Sequence, residues 1–435
     1  MPASTTRIPE IPGKLVTPEQ TAFLNEHVMD LCGLKIPKFP GSQPVSFTQA
    51  SLSLLEQEDF WVCEKSDGVR VLVLIAWNKI KGAQDVFLID RKEEFRQVEG
   101  LVFPNGEDPA RRPLEKTLLD GELVLDVDAQ TGKETLRLYA FDCLVFSGIS
   151  LLKKSLMSRY GRLQKWVIGP LDKLPPSSNK PFEIVCKKMN RAYGVEDVFK
   201  VDIPKLQHGH DGLIFTACDS GYTVGTDPNI LKWKPASENS IDFKLELRFP
   251  ALDANPSQPD FEAMPIFKLY QWLGDDRYEF FDGMVVEPDE WERMKESKIQ
   301  YDDAVVEVTW LEDRQTWSIM RVRDDKIHGN HASIVQKVLV SIMDGVEAEE
   351  LFKFAPHIKK AWKAREAGHI TKPQPPSLSS SNPGYSGGGG GHNQYNQQKQ
   401  GYQSYQQQPQ QGQYGYPNQP TMGGGGGAVF GGLKR

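Results

Sequence analysis

No Cys-x-x-Cys pair occurs in this chain. Its five cysteines (Cys32, Cys63, Cys143, Cys186 and Cys218) are odd in number, widely spaced and mostly set in apolar runs. That pattern argues against a paired-cysteine zinc site and a disulfide-stapled secreted domain, and predicts reduced, buried thiols. Long hydrophobic runs are also missing: none approaches the ~18 apolar residues of a membrane helix, so no membrane association is expected. The opening Met1-Pro2-Ala3-Ser4 has no basic segment leading into an apolar one, so no secretory signal is expected, leaving cytosol or nucleus. Excess positive charge is absent too, with a formal net charge of −7. A chain of this kind does not coat nucleic acid through bulk charge. If it acts on nucleic acid, a local site supplies the contact, which suits brief handling of an end. No internal repeat is present.

What is there suffices for two or three domains: 435 residues, 39% of them apolar. Thr17 to Cys32 reads as a helix, with Thr17 as N-cap, Pro18 in the first turn and Gln20 completing a capping box. From about Phe60 to Lys244, short β-rich runs separated by turn residues recur: Phe60 to Cys63, Val69 to Ile75, Val86 to Ile89, Leu118 to Leu125, Leu136 to Phe141, Gly212 to Thr216 and Leu231 to Trp233. Helical spacing at Ser150 to Val167, and briefly at Tyr193 to Phe199, makes this region mixed α and β. Five further strand candidates (Phe243 to Phe249, Ile266 to Trp272, Met284 to Val286, Ala304 to Trp310, Trp317 to Val322) suggest a small β-barrel of the OB type. Ala332 to Phe354 then reads as one helix, breaking or restarting at Pro356. From about Thr371 the composition turns to Gly, Gln, Ser, Asn, Pro and Tyr, which predicts disorder.

Six short runs carry candidate chemistry. In Lys65-Ser66-Asp67-Gly68-Val69-Arg70, a lysine sits between two strand candidates. A nucleophilic lysine must be partly neutral, and neighbouring cations lower its pKa. Gly68 would permit close approach of a phosphate, and Arg70 can bond phosphate or ribose oxygens. In Leu119-Asp120-Gly121-Glu122-Leu123, Asp120 reads as the start of a surface turn, and Glu122 as able to take a ribose hydroxyl or a metal. Phe141, in Leu138 to Asp142, is either core or a ring on which a base stacks. Asp211, before Gly212-Leu213-Ile214-Phe215, could bind a divalent cation. In Lys232-Trp233-Lys234-Pro235, strand alternation puts both lysines on one face, matched to a phosphate chain. Arg321, Arg323, Asp325 and Lys326 end an apolar strand with dense charge suited to a pyrophosphate leaving group. Each run alone also has an ordinary reading as a surface turn, core position or solvated strand end.

Their order along the chain resembles the six collinear motifs of the covalent nucleotidyltransferases, the superfamily of mRNA capping enzymes and polynucleotide ligases. Lys232-Trp233-Lys234-Pro235 and the Arg-x-Arg-x-x-Lys core of the last run resemble the capping versions. So do Phe39 to Ser46, the Asp90-Arg91-Lys92 segment, and Phe182-x-Ile184-x-x-Lys187-x-Met189. The resemblance implies an α+β fold: a ligase-type adenylation (ATP-grasp-like) nucleotidyltransferase domain over 1–242 and an OB barrel over 243–328. A helix over 329–368 would pack back on the first domain, before a tail over 369–435. It further implies that Lys65 attacks the α-phosphate of GTP, forms a lysyl-N–GMP and passes GMP to 5′-diphosphate RNA. Arg70 and Glu122 would bind the ribose, Phe141 and Ile214 would sandwich guanine, and Lys187 would contact its edge. Lys232 and Lys234 would hold the α-phosphate, and Asp211 would place Mg²⁺ or Mn²⁺. Arg321, Arg323, Asp325 and Lys326 would engage the β and γ phosphates when the barrel closes. With no Cys-x5-Arg signature ahead of these motifs, the RNA 5′-triphosphatase is expected on a separate subunit. Docking on the phosphorylated tail of RNA polymerase II and a nuclear location are expected with it. An ATP-dependent polynucleotide ligase, or a non-catalytic binding protein using its barrel or tail, are the competing readings.

Overall fold

In the computed structural model, residues 7–107, 113–175, 180–235, 238–253 and 255–369 are described; the predicted low-complexity tail lies outside them. The expected α+β architecture is observed. Helix α1, Pro18–Cys32, begins as its capping box dictates. The Gln20 amide donates to the Thr17 hydroxyl at 3.3 Å, and the Thr17 amide to the Gln20 side chain at 3.1 Å. Gly33, at φ 66°, ends it in the left-handed region.

Two sheets follow. The smaller contains β1 (Ser42–Ser46), β2 (Phe60–Ser66), and two later strands, His210–Ala217 and Gly225–Trp233. The larger contains β3 (Val69–Asn78), β4 (Ala83–Ile89), β5 (Phe95–Val98), β6 (Thr117–Val127), β7 (Glu134–Phe146) and β8 (Glu183–Cys186). Continuing in chain order, the two later strands of the smaller sheet are β9 (His210–Ala217) and β10 (Gly225–Trp233). Only Asp67 and Gly68 join β2 to β3, so the two sheets meet where Lys65 stands. A side chain at Gly68 would put its Cβ 2.4 Å from the Leu123 carbonyl oxygen. This glycine is needed for packing against β6, where the sequence suggested room for a phosphate. Between β7 and β8 the helix starts at Leu156, later than the spacing at Ser150 predicts. The Ser155 hydroxyl caps it, and it continues through a π segment, Leu163–Ile168, to Leu171. Helical turns also run from Ala192 to Lys205, longer than the predicted short piece.

The second region is a five-stranded antiparallel sheet of β11 (Ser240–Arg248), β12 (Ile266–Trp272), β13 (Tyr278–Met284), β14 (Val305–Leu311) and β15 (Thr316–Val322). Their order is β13–β12–β11–β14–β15, with a helix, Pro288–Glu296, between β13 and β14. The outer strands approach each other: the Val285 amide donates to Thr316 Oγ1 at 3.0 Å and Trp317 Nε1 to Asp282 at 3.1 Å. That is OB-type topology. Phe243, Leu245, Phe267, Leu269, Val306 and Trp317 fill its interior.

The C-terminal helix predicted as one piece is two. Ala332–Met343 ends at Asp344, and Ala348–Glu366 restarts with Glu347 as cap, its carboxylate and that of Glu350 closing a capping box. Pro356 lies inside the second helix rather than breaking it. The break has a tertiary cause: the Val346 carbonyl between the helices accepts the Trp233 indole N–H at 2.7 Å. Leu351, Ala355 and Ile358 then pack with Phe60, Phe215 and Trp233. Arg365 reaches Asp59 at 2.8 Å and the Glu56 carbonyl at 2.6 Å.

Candidate active site

A cleft lies where the two sheets face each other. Cys63, Glu64, Lys65 and Ser66 line it from β2, Arg70 from β3, Glu122 from β6 and Phe141 from β7. Lys187, Met189, Ile214 and Ile230 line it as well. Two irregularities in strand pairing shape it. On β9, His210 pairs with Ser66 and Leu213 with Glu64, so Asp211 and Gly212 together oppose Lys65. This β-bulge carries the Asp211 carboxylate onto the Lys65 ammonium, in an ion pair. Gly212 allows it, at φ +131° with a would-be Cβ 2.0 Å from the Trp233 carbonyl oxygen. On β7, Asp142 pairs with Asp120 and Ala140 with Gly121, leaving Phe141 as the extra residue. The second bulge turns Phe141 into the cleft, with the Arg70 guanidinium 5.5 Å from its ring centre.

Lys65 is surrounded by charge. Lys234 Nζ is 2.6 Å from the other Asp211 oxygen. Burial would raise the Asp211 carboxyl, but Lys65 and Lys234 outweigh it and hold it below its usual value. Lys232 pairs across from Ile214. Burial, then Lys234 and Lys65, pull its ammonium below the ordinary lysine range. Three lysines around one carboxylate leave an excess of positive charge, which suits a phosphate chain.

Beneath the cleft is a buried polar chain. Lys187 is 4% exposed. Its ammonium sits 2.6 Å from Glu64 and bonds the Ser66 hydroxyl. His208 Nε2 is 3.1 Å from the Ser66 oxygen, and its Nδ1 is 2.6 Å from Asp126. Burial would raise the Glu64 carboxyl, but Lys187 and His208 hold it down to about 2. A carboxyl so depressed stabilises the fold above its unfolded value near 4.5, and this contribution is lost as pH falls toward 2. Urea unfolding between pH 5 and 3 is expected to lose less stability in Glu64→Gln than in the parent chain. An equal loss in both would contradict this.

Arg70 is held from below. Its Nε and Nη2 donate to the two Asp120 oxygens at 3.0 and 2.7 Å, and it also reaches the Ser42 carbonyl. Tyr222 donates to Asp120 at 2.5 Å. Asp120 is fully buried in the middle of β6, which corrects the surface turn expected there. A polar side chain interrupting an apolar strand signalled something, but only the strand pairing shows that it answers Arg70.

The structure therefore brings Lys65, Arg70, Glu122, Phe141, Lys187 and Ile214 to one cleft, with Asp211, Lys232 and Lys234 beside Lys65. It does not bring the last charged run there. Arg321 bonds Glu307 at 2.7 Å, Arg323 bonds Asp242 at 3.0 Å and Asp325 at 2.8 Å, and Lys326 pairs with Asp242. The three cations are held by carboxylates of the barrel region, Asp325 being one of those on Arg323, and none of the four lines the cleft. Sequence reasoning assigned no role to Arg91, Ser42 and Tyr222, which line the cleft, or to His208 and Asp126 below it. Arg91 and Ser42 carried a signal, in the quoted Asp90-Arg91-Lys92 and Phe39 to Ser46 runs; Tyr222, His208 and Asp126 carried none.

Residues 7–236 match the family model of the mRNA capping enzyme catalytic domain, and residues 238–352 that of the mRNA capping enzyme C-terminal domain. The chain belongs to the mRNA capping enzyme family. It is 39% identical over 371 residues to the mRNA-capping enzyme subunit alpha of Schizosaccharomyces pombe, across 83% of this chain and 91% of that one. It is 36% identical over 432 residues to the protein of the same name in Saccharomyces cerevisiae, across 87% and 94%. To the mRNA-capping enzyme of Caenorhabditis elegans it is 28% identical, across 80% of this chain and 54% of the relative. Among solved structures, the ATP-dependent DNA ligase of bacteriophage T7 overlaps at a TM-score of 0.34 and 14% identity, over 65% of this chain and 98% of that one. As a capping enzyme the chain is a nucleotidyltransferase with a nucleotide substrate, and its reaction is the guanylyl transfer of mRNA capping.

Proposed function

We propose that Lys65 is the group that carries GMP, and that the cleft around it reads and activates GTP. The observation that carries this reading is the bulge on β9, which holds Lys65 at one Asp211 oxygen with Lys234 at the other and Lys232 nearby. On this reading, Lys65 Nζ gives up a proton to solvent and then attacks the α-phosphorus with the freed lone pair. A P–N bond forms, the bond to the β-phosphate oxygen breaks, and pyrophosphate leaves. The second step reverses the attack, with the terminal phosphate of a 5′-diphosphate RNA taking the phosphorus from nitrogen. Lys232 and Lys234 meet the α-phosphate, while Arg70 and Glu122 meet the ribose.

Selection of guanine rests on Lys187. An ammonium has three N–H donors. Two are taken by Glu64 and Ser66, and the third is available to a base edge lined by Phe141 and Ile214. Guanine offers a carbonyl at position 6, where adenine offers an amino group. The donor at Lys187 therefore favours GTP over the ATP of the ligase reading.

A divalent cation, Mg²⁺ or Mn²⁺, fits one part of this site. Among the described residues no group of three or more His, Cys, Asp or Glu could hold a metal ion. Mg²⁺ is commonly held by one or two carboxylates with substrate phosphates, and Asp211 with the GTP phosphates makes such a set. When bound, the cation would neutralise charge on the phosphate oxygens. Arg321, Arg323 and Lys326 would reach the β and γ phosphates only after exchanging their carboxylate partners, and Asp325 only with them, by movement of the barrel. The relatives' name, subunit alpha, supports a partner subunit, which we assign as the RNA 5′-triphosphatase. Docking on the phosphorylated tail of RNA polymerase II and residence in the nucleus follow from action on nascent mRNA. A purified chain that binds no phosphorylated heptad-repeat peptide would contradict the docking.

Glu122 gives this reading a pH test. Burial raises its carboxyl to about 7 against the pull of Arg70 and Lys187. The ionised form accepts a ribose hydroxyl more strongly than the neutral form. The KM for GTP in adduct formation is therefore expected to rise as pH drops below about 7. Glu122→Gln is expected to have a higher KM that does not change over that range. A parent profile as flat as the variant's would contradict the assignment.

A further inference from the structure

We propose that the outer face of β11, β12 and β13 is a stacking platform for single-stranded RNA just downstream of the end that receives GMP. This rests on the reading that RNA is the acceptor. On an antiparallel sheet with one packed face, the other face is ordinarily polar. Here the inward residues Phe243, Leu245, Phe267, Leu269 and Phe281 already fill the barrel. The alternate positions nevertheless carry four aromatics in a block. Tyr270 pairs across from Phe280, and Trp272 from Tyr278. The Tyr270 and Phe280 rings lie edge to face at 5.8 Å, and Phe280 remains 53% exposed. Trp272 stacks on His328 at 4.7 Å with the rings 2° from parallel, and the Tyr278 hydroxyl lies 2.7 Å from His328 Nδ1. Cross-strand aromatic pairs do stabilise sheets, but stability alone does not call for a phenylalanine left half in water.

Cations stand among these rings. Lys244 Nζ is 4.8 Å from the Tyr278 ring centre and Lys268 Nζ is 6.0 Å from that of Phe280. Lys244 also pairs with Asp303 at 2.5 Å, and Arg248 with Glu246 on the same face. Such exposed pairs are weak and yield to a phosphate. Rings for bases, with ammonium groups at the same level for the phosphates between them, make the recognition pattern of single-stranded nucleic acid. The strands involved form the face on which OB-folds hold oligonucleotides. A chain with net charge −7 has little general attraction for RNA, so a local platform has a task to perform.

The test uses the full chain, loaded with GMP from labelled GTP. Transfer is measured to a 5′-diphosphate trinucleotide and to a 5′-diphosphate RNA longer than the roughly 4–16 nucleotides an OB-fold covers. With the long RNA, Phe280→Ala is expected to raise KM about 5-fold or more, the loss of one base–aromatic stack. Phe280→Trp is expected to restore most of it. With the trinucleotide, and in adduct yield, Phe280→Ala is expected to match the parent. Lys268→Glu, which opens no cavity, is expected to raise the long-RNA KM and lower its salt dependence. An unchanged long-RNA KM in both Phe280→Ala and Lys268→Glu, or an equal loss on the trinucleotide, overturns the platform and leaves this face to a protein partner. A parent chain that forms the adduct yet passes GMP to neither RNA overturns the acceptor reading itself.

Discussion

Lys65→Ala is expected to abolish the covalent nucleotide adduct, by on the order of 10⁴-fold or more, as when other enzymes lose their nucleophile. Lys65→Arg is expected to fail equally, although it keeps the positive charge facing Asp211. A guanidinium stays protonated at any working pH and has no lone pair to give. The pair of variants separates two jobs. If Lys65 served only to hold phosphate, arginine would do it at least as well, and adduct formation would survive. The check is transfer of label from α-labelled GTP to the chain, read on a denaturing gel. The fold should survive both changes, since the Lys65 and Asp211 side chains are each 27% exposed rather than buried.

Asp120→Ala is expected to cost about 3–5 kcal/mol of folding stability, the range for removing one partner of a buried ion pair. Asp120 has no exposure, the Arg70 side chain is 9% exposed, and the two meet through both carboxylate oxygens. Without the carboxylate, Arg70 keeps a buried charge hydrogen-bonded to the Ser42 carbonyl and the Tyr222 hydroxyl, with Glu122 as a nearby but unbonded carboxyl. Urea unfolding at pH 7 measures the loss. A double variant, Arg70→Leu with Asp120→Leu, is expected to recover much of that stability because no lone charge remains. It should still form little adduct, since Arg70 is assigned to the ribose. A loss under about 1 kcal/mol in Asp120→Ala, the level of an exposed pair, would show that the pairing contributes little.

The two cases show what the sequence could and could not disclose. Lys65, Asp211, Lys232 and Lys234 stand in short runs with chemistry written in their side chains, and strand alternation relates the last two. Helix α1 was legible to the residue at its start because a capping box is a local device. Asp120 was not, because its meaning lies in pairing with a strand some fifty residues earlier. The bulges that aim Phe141 and Asp211 were hidden for the same reason, since an extra residue on one strand is defined only against its partner. His208 and Asp126 have no neighbours in sequence that suggest a buried relay to Lys187. The two-piece C-terminal helix depends on a hydrogen bond from Trp233, more than a hundred residues away. The charged run from Arg321 to Lys326 was legible as a cluster, but its present partners, Asp242 and Glu307, come from other strands.

On the proposed function, GMP rides on Lys65. The most direct measurement is to incubate the chain with GTP or ATP and a divalent cation, digest it, and locate the modified residue by mass spectrometry. The expected result is a GMP mass on the peptide containing Lys65, lost in acid as a phosphoramidate is, and no AMP adduct. An AMP adduct in place of GMP, or GMP attached to any other residue, would contradict it.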